Sequence, residues 1–145
     1  MKIRPIVHTD KAQWRPLWQG YQAFYKVTIT DAVTDLTWER FFDGVVPVNA
    51  FVAEENGTLL GFVHFIYHYS TWTKGPYVYL QDLFTSEDAR GKGVATGLIR
   101  AVYDAAEKAG ASRVYWLTHE TNDTAIRLYE KIADRSGFIQ FRKMI

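Results

Sequence analysis

The run Asp88-Ala89-Arg90-Gly91-Lys92-Gly93-Val94-Ala95 stands where an apolar strand pattern ends and a helical pattern begins. A helix start offers backbone N–H groups with no internal partner and the positive end of the helix dipole. Gly91 and Gly93 remove side chains that would hold a bulky anion away, and Arg90 and Lys92 add positive charge. Together these make a site for two linked phosphates. The competing reading is a plain strand-to-helix turn with two convenient glycines. The run is not a P-loop, because Lys92 is followed by Gly rather than Ser or Thr. Gly91, Gly93 and Gly97 are loosely spaced like a dinucleotide fingerprint, but they follow a meander instead of opening a βαβ array, so a nicotinamide binder ranks last.

Other residues with chemical potential lie on either side. Asn122 and Tyr129 are seven residues apart in a helical pattern, which places them on one face, roughly 10 Å apart. A ligand arm along that face would meet both. Alternatively, Asn122 caps the helix and Tyr129 joins a core stripe with Ala125 and Ile132. Gln81 and Asp82 adjoin on a strand and are expected on opposite faces. His119 ends the next strand and is a further candidate to accept a proton. His64 and His68 share a strand face about 13 Å apart, too far to ligate one metal, and read as ordinary strand residues. No metal site is expected.

These groups need a scaffold, and hydrophobic periodicity supplies one. Lys2 to Val7 reads as a short strand and Thr9-Asp10 as a helix cap. Trp14, Leu17, Trp18, Tyr21 and Tyr25 form a helical stripe, and a second short helix is expected over Leu36 to Phe42. Ala50 to Glu54, the turn Glu55-Asn56-Gly57, Thr58 to Tyr69 and Tyr77 to Thr85 form an antiparallel meander. Gly91 to Lys108 is a helix with the stripe Val94, Ala95, Leu98, Ile99, Val102 and Ala106. A strand over Ser112 to Thr118, a helix over Asn122 to Ala133 and a closing strand over Phe138 to Lys143 follow. The fold class is α/β (α+β): a mixed, mostly antiparallel central sheet flanked by helices.

The chain's 145 residues suit one domain over 1–145, and 48% hydrophobic with 23% charged residues suits a packed core. A net charge of +1 argues against nucleic acid as a partner. No segment is apolar and long enough to span a membrane. The absence of cysteine excludes disulfides and thiolate chemistry and fits a reducing, cytoplasmic setting.

Arg90-Gly91-Lys92-Gly93-Val94-Ala95 resembles the Arg/Gln-x-x-Gly-x-Gly/Ala acetyl-CoA motif of the GNAT superfamily of N-acetyltransferases. Tyr79-Leu80-Gln81-Asp82-Leu83-Phe84 is similar to the strand before that motif, and Asn122, Ala125-Ile126 and Tyr129 to the family's later helix. Ser70-Thr71-Trp72, Trp116 and Ser136-Gly137-Phe138 look closest to the spermidine/spermine, thialysine and histone-type branch. The resemblance covers about Ala50 to Lys143. It implies acetyl-CoA as co-substrate, with the amides of Arg90, Gly91, Lys92, Gly93, Val94 and Ala95 on the pyrophosphate and the main chain of Leu83, Phe84 and Thr85 along the pantetheine. A bulge would splay that strand from the next. Asn122 would touch the cofactor arm and Tyr129 would protonate the departing thiolate. Relatives of this kind often form homodimers.

An alkyl amine is neutral in only about one molecule in two thousand at pH 7, so exposing its lone pair costs about 4–5 kcal/mol, against roughly 7–11 kcal/mol available from proximity. The polyamine and thialysine branch has Glu where this chain has Gln81, and an amide takes no proton. A water relay ranks first as proton exit, His119 second and Asp82 third. Tyr21, Trp38, Trp72 and Gln81 are candidates to line the amine slot. Asp31, Asp35, Glu39 and Asp43 form a mildly acidic stretch that would suit a polycation but reads as a solvated face. The expected acceptor is a small polyamine, diamine or amino-acid-like amine. The alternatives are a protein lysine, as in histone-type acetylation, and an acyl-CoA-binding sensor without turnover.

Overall fold

The computed structural model describes all 145 residues. A five-stranded sheet runs in the spatial order β1 (Lys2–Pro5), β2 (Val48–Glu55), β3 (Thr58–His68), β4 (Tyr77–Thr85), β5 (Arg113–Tyr115). The first three pairings are antiparallel and β4–β5 is parallel. The β2–β3 hairpin turns on Asn56 (φ 50°) and Gly57 (φ 79°), the left-handed pair that an Asn-Gly turn requires.

The helices divide between the two faces. Trp14, Leu17 and Trp18 on α1 (Lys11–Tyr25) and Trp38 on α2 (Asp31–Arg40) pack with Val52 and Phe62 on one face. Val94, Leu98, Ile99, Val102 and Ala106 on α3 (Val94–Lys108) pack with Val63, Phe65, Val78 and Leu80 on the other. Each such side chain, fully buried, stabilises the fold by about 1.5–3 kcal/mol. The short helix α4 (Asp123–Tyr129) follows β5 and adds Tyr129 to the edge of the α3-side core.

Several boundaries differ from the sequence expectation. The first strand stops at Pro5 rather than Val7. The helix α2 starts at Asp31, because the Thr30 hydroxyl accepts the Val33 N–H (3.2 Å) and caps it well before Leu36. Asp10 does not cap α1: its carboxylate accepts a fork from Arg4 (2.8 and 2.9 Å) and the Val7 N–H (2.8 Å). Burial works against the Asp10 charge, but the Arg4 and Val7 hydrogen bonds and the Arg4 charge outweigh it and hold the group below the usual carboxylate range.

Two corrections matter for the site. The strand expected over Ser112 to Thr118 is reduced to three residues, and α4 ends at Tyr129 rather than Ala133. No closing strand forms over Phe138 to Lys143: the chain beyond Ala133 makes no backbone ladder, and Phe138, Ile139, Phe141, Met144 and Ile145 are exposed. A strand needs a partner edge, and this segment pairs with none within the chain.

Candidate active site

The centre of the site is a defect in the β3–β4 ladder. His64 pairs with Asp82, and the next rung joins Phe65 to Leu80, leaving Gln81 without a partner. This is a β-bulge, one extra residue that shifts the alternation of side chains. Before it, Val78 and Leu80 face the α3 core; after it, Leu83 packs on that core while Asp82 and Phe84 turn toward α1. Beyond the bulge β4 also loses its outer neighbour. The β4–β5 ladder covers Tyr77 to Tyr79 and stops, so the outer edge of Leu80 to Thr85 is free and the strands part. The Thr118 hydroxyl, on the departing segment, is buried without a hydrogen-bond partner.

Asp82 is 8% exposed at this parting. One carboxylate oxygen lies 2.9 Å from His64 Nδ1, and His64 is its only partner at ion-pair distance. Tyr21 and Tyr25 from α1 and Tyr79 from β4 surround it. Burial raises the pKa of all three hydroxyls, and the negative charge of Asp82 raises them further. They stay protonated around a carboxylate that no lysine or arginine neutralises. Gly20 brings α1 close enough to close this cage, since a Cβ there would meet the Phe84 ring at 2.8 Å.

Tyr129 continues the cluster from the α4 side. Its ring packs edge-on to Trp116 at 5.3 Å. Burial, and then proximity to Tyr25, pushes its hydroxyl up to about 12, so it remains a proton donor at neutral pH. Asn122 caps α4, its Oδ1 accepting the Ala125 N–H at 3.4 Å.

Past the end of β4, the loop turns on Gly91 (φ 78°) and Gly93 (φ 77°). Space around both is open, so glycine is required by backbone conformation rather than by packing. The first α3 hydrogen bond runs from the Gly97 N–H to Gly93 O (3.0 Å), which leaves the amides of Val94, Ala95 and Thr96 ahead of it without helical partners. Buried Val94 anchors this helix start in the core, while Arg90 and Lys92 are exposed beside it.

The structure sorts the remaining candidates. Gln81 is exposed at the bulge and makes no side-chain hydrogen bond, while Tyr21 is drawn into the Asp82 cage. Trp38 does not line a slot: it is 6% exposed and packs on Trp14 at 5.0 Å, because the longer α2 turns it inward. Trp72 is exposed on the loop that leads into β4, at the end away from the glycine turn. His119 is exposed, with Nδ1 occupied by the Thr121 hydroxyl (2.7 Å) and amide (3.2 Å). Tyr25, Tyr79 and His64 are not among the candidates that the sequence offers for the site. The alternation of Phe62 and His64 put His64 on the α1 face, but only the bulge sets it against Asp82. Two shallow clefts of about 380 and 400 Å³ lie elsewhere, one beside Arg15, Gln19 and Asp31 and the other beneath Phe42, Val45 and Asn49.

A sheet that parts beside a bulge, with a glycine-turned helix start at the end of the parted strand, belongs to an enzyme of the N-acetyltransferase class. This chain is a member of the acetyltransferase (GNAT) family, whose family model matches residues 14–133. It is 34% identical over 143 residues to the D-amino-acid N-acetyltransferase HPA3 of Saccharomyces cerevisiae, covering 97% of this chain and 89% of that one. It is 32% identical over 95 residues to the thialysine N-epsilon-acetyltransferase of Mus musculus, covering 61% and 55%. Among solved structures, AAC(6')-Iy with a CoA-S-monomethyl-acetylneamine bisubstrate analogue superimposes with a TM-score of 0.85 at 20% identity, covering 99% of this chain and 97% of that one. No helix is long and apolar enough to cross a membrane.

Proposed function

We propose that this enzyme transfers the acetyl group of acetyl-CoA directly to the primary amine of a small polyamine, diamine or amino-acid-like substrate, both bound at once. The observation that carries the reading is the Asp82 carboxylate: buried at the parting of β4 and β5, unpaired by any lysine or arginine, and ringed by protonated tyrosines. Such a site suits an ammonium group. The names of the two relatives, a D-amino-acid and a thialysine N-acetyltransferase, support an amine of this size.

The residues present fit coenzyme A. Open space at Gly91 and Gly93, unpartnered amides at the start of α3, the free β4 edge over Leu83 to Thr85 and the orphaned Thr118 hydroxyl offer room, donors and acceptors. The amides around Arg90 to Ala95 would hold the diphosphate and Asn122 would touch the arm. Acetyl-CoA, when bound, supplies an acetyl thioester. Asp82 holds the ammonium and takes its proton, which moves it ahead of His119 and of a water relay. The bulge frees main-chain groups near Leu83 to polarise a carbonyl. Tyr129 holds the proton that leaves with the thiolate.

Thiol release from acetyl-CoA over a panel of polyamines, diamines, D- and L-amino acids and lysine peptides tests this. Turnover with small amines is expected. Turnover with peptides alone would favour a protein-lysine enzyme, and tight acetyl-CoA binding without release would favour a sensor.

We also propose a homodimer in which the C-terminal segment of each chain lies along the β5 edge of the other. The free outer edge of β5 and the exposed Phe138, Ile139, Phe141, Met144 and Ile145 support it.

A further inference from the structure

We infer that His64, locked in one tautomer by Trp14, is a positioning residue that aims the Asp82 carboxylate at the acceptor amine; this rests on the amine-binding role proposed above for Asp82. The Trp14 indole can only donate, and its Nε1 lies 3.1 Å from His64 Nε2. That nitrogen is therefore an acceptor and carries no proton. The ring proton sits on Nδ1 and is donated to Asp82 at 2.9 Å. With Nε2 accepting from Trp14 and Nδ1 donating to Asp82, both ring nitrogens are engaged. Trp14 and His64 are 0% and 2% exposed, and no other polar group reaches them. Trp18 (5.1 Å), Phe41 (4.8 Å) and Phe62 (4.4 Å, stacked) hold the imidazole in place.

The consequence is electrostatic. Asp82 gains a fixed hydrogen bond to one oxygen without gaining a cation, so its full negative charge stays available to the ammonium, with the Tyr21 hydroxyl as its other hydrogen-bonding neighbour. A lysine or arginine in place of His64 would hold the carboxylate equally well and cancel its charge. The relay therefore acts on the amine and leaves acetyl-CoA binding untouched.

The test compares His64→Leu with His64→Asn, whose amide can donate from near the Nδ1 position. His64→Leu should lower kcat/KM for the amine about tenfold or more, the scale of a hydrogen bond to a charged group, with acetyl-CoA affinity unchanged, and His64→Asn should recover most of the loss. Equal losses in both variants, no loss in a folded His64→Leu, or a matching loss of acetyl-CoA affinity would overturn the proposal. Nitrogen-15 NMR of His64 at neutral pH should show the Nδ1–H tautomer in the unaltered protein and a mixture in Trp14→Phe. An Nε2–H tautomer or an imidazolium in the unaltered protein would overturn it as well. If no amine is acetylated, the functional reading fails, and the NMR signature still decides the relay.

Discussion

Asp82 stands directly opposite His64 in the β3–β4 ladder, and the rung after it joins residues 65 and 80, so Gln81 is skipped. That single insertion turns Asp82 into the buried α1-facing cage and leaves Gln81 in solvent. Asp82→Asn should therefore cut amine kcat/KM by about 10²-fold or more, the range for losing a positioned acid–base group, with little change in acetyl-CoA affinity. Gln81→Glu should change the rate little. Steady-state kinetics on both variants check the pair, and a large gain from Gln81→Glu would move the base to the bulge.

Tyr129→Phe should lower turnover more than cofactor affinity, because the ring contact to Trp116 survives and only the hydroxyl is lost. Single-turnover rates with calorimetric acetyl-CoA binding separate the two effects. An unchanged rate would remove the hydroxyl from proton transfer.

Gly93 adopts φ 77° with open space around it. Gly93→Val should cost about 1–2 kcal/mol of stability from left-handed backbone strain and place a side chain over the exposed amides. Thermal unfolding and coenzyme A titration measure both. Retained affinity would put the diphosphate elsewhere.

The raised tyrosines make the fold sensitive to alkali. A folded pKa above the unfolded one means the native state holds its proton longer, so the contribution is complete below the ordinary value of 10.0 and fades as pH rises through about 12 for Tyr129. The melting temperature should fall less steeply over that window in Tyr129→Phe. Asp10 acts in the opposite sense: its lowered pKa gives stability that is complete above the ordinary 3.8 and is lost as pH falls through the folded value. Asp10→Asn should be less stable at neutral pH, and its melting temperature should fall less on acidification.

The chain has no cysteine, which makes disulfide trapping clean. Leu117→Cys combined with Phe141→Cys should give a covalent dimer on oxidation, and a chain ending at Arg135 should sediment as a monomer. A disulfide confined to one chain would return the closing strand to its own sheet.

Local patterns carried much of this protein. The Asn56-Gly57 turn, the limits of β4, the α3 stripe and the glycine-turned helix start follow from residue type and period, because backbone conformation and amphipathic spacing are short-range properties. Trp38 shows the limit of such reading, since nothing in its neighbourhood told a slot wall from a core residue until α2 acquired its Thr30 cap and full length.

The amino-acid sequence by itself determined that a glycine-turned helix start follows a strand in a mixed, mostly antiparallel sheet, since positive-φ glycines and the alternation of apolar residues act within a few positions of themselves. Only the tertiary structure decided which carboxylate is buried at the parting strands and what holds it. A one-residue slip in pairing reverses every side chain beyond it, and that slip depends on how two strands meet, not on either strand alone.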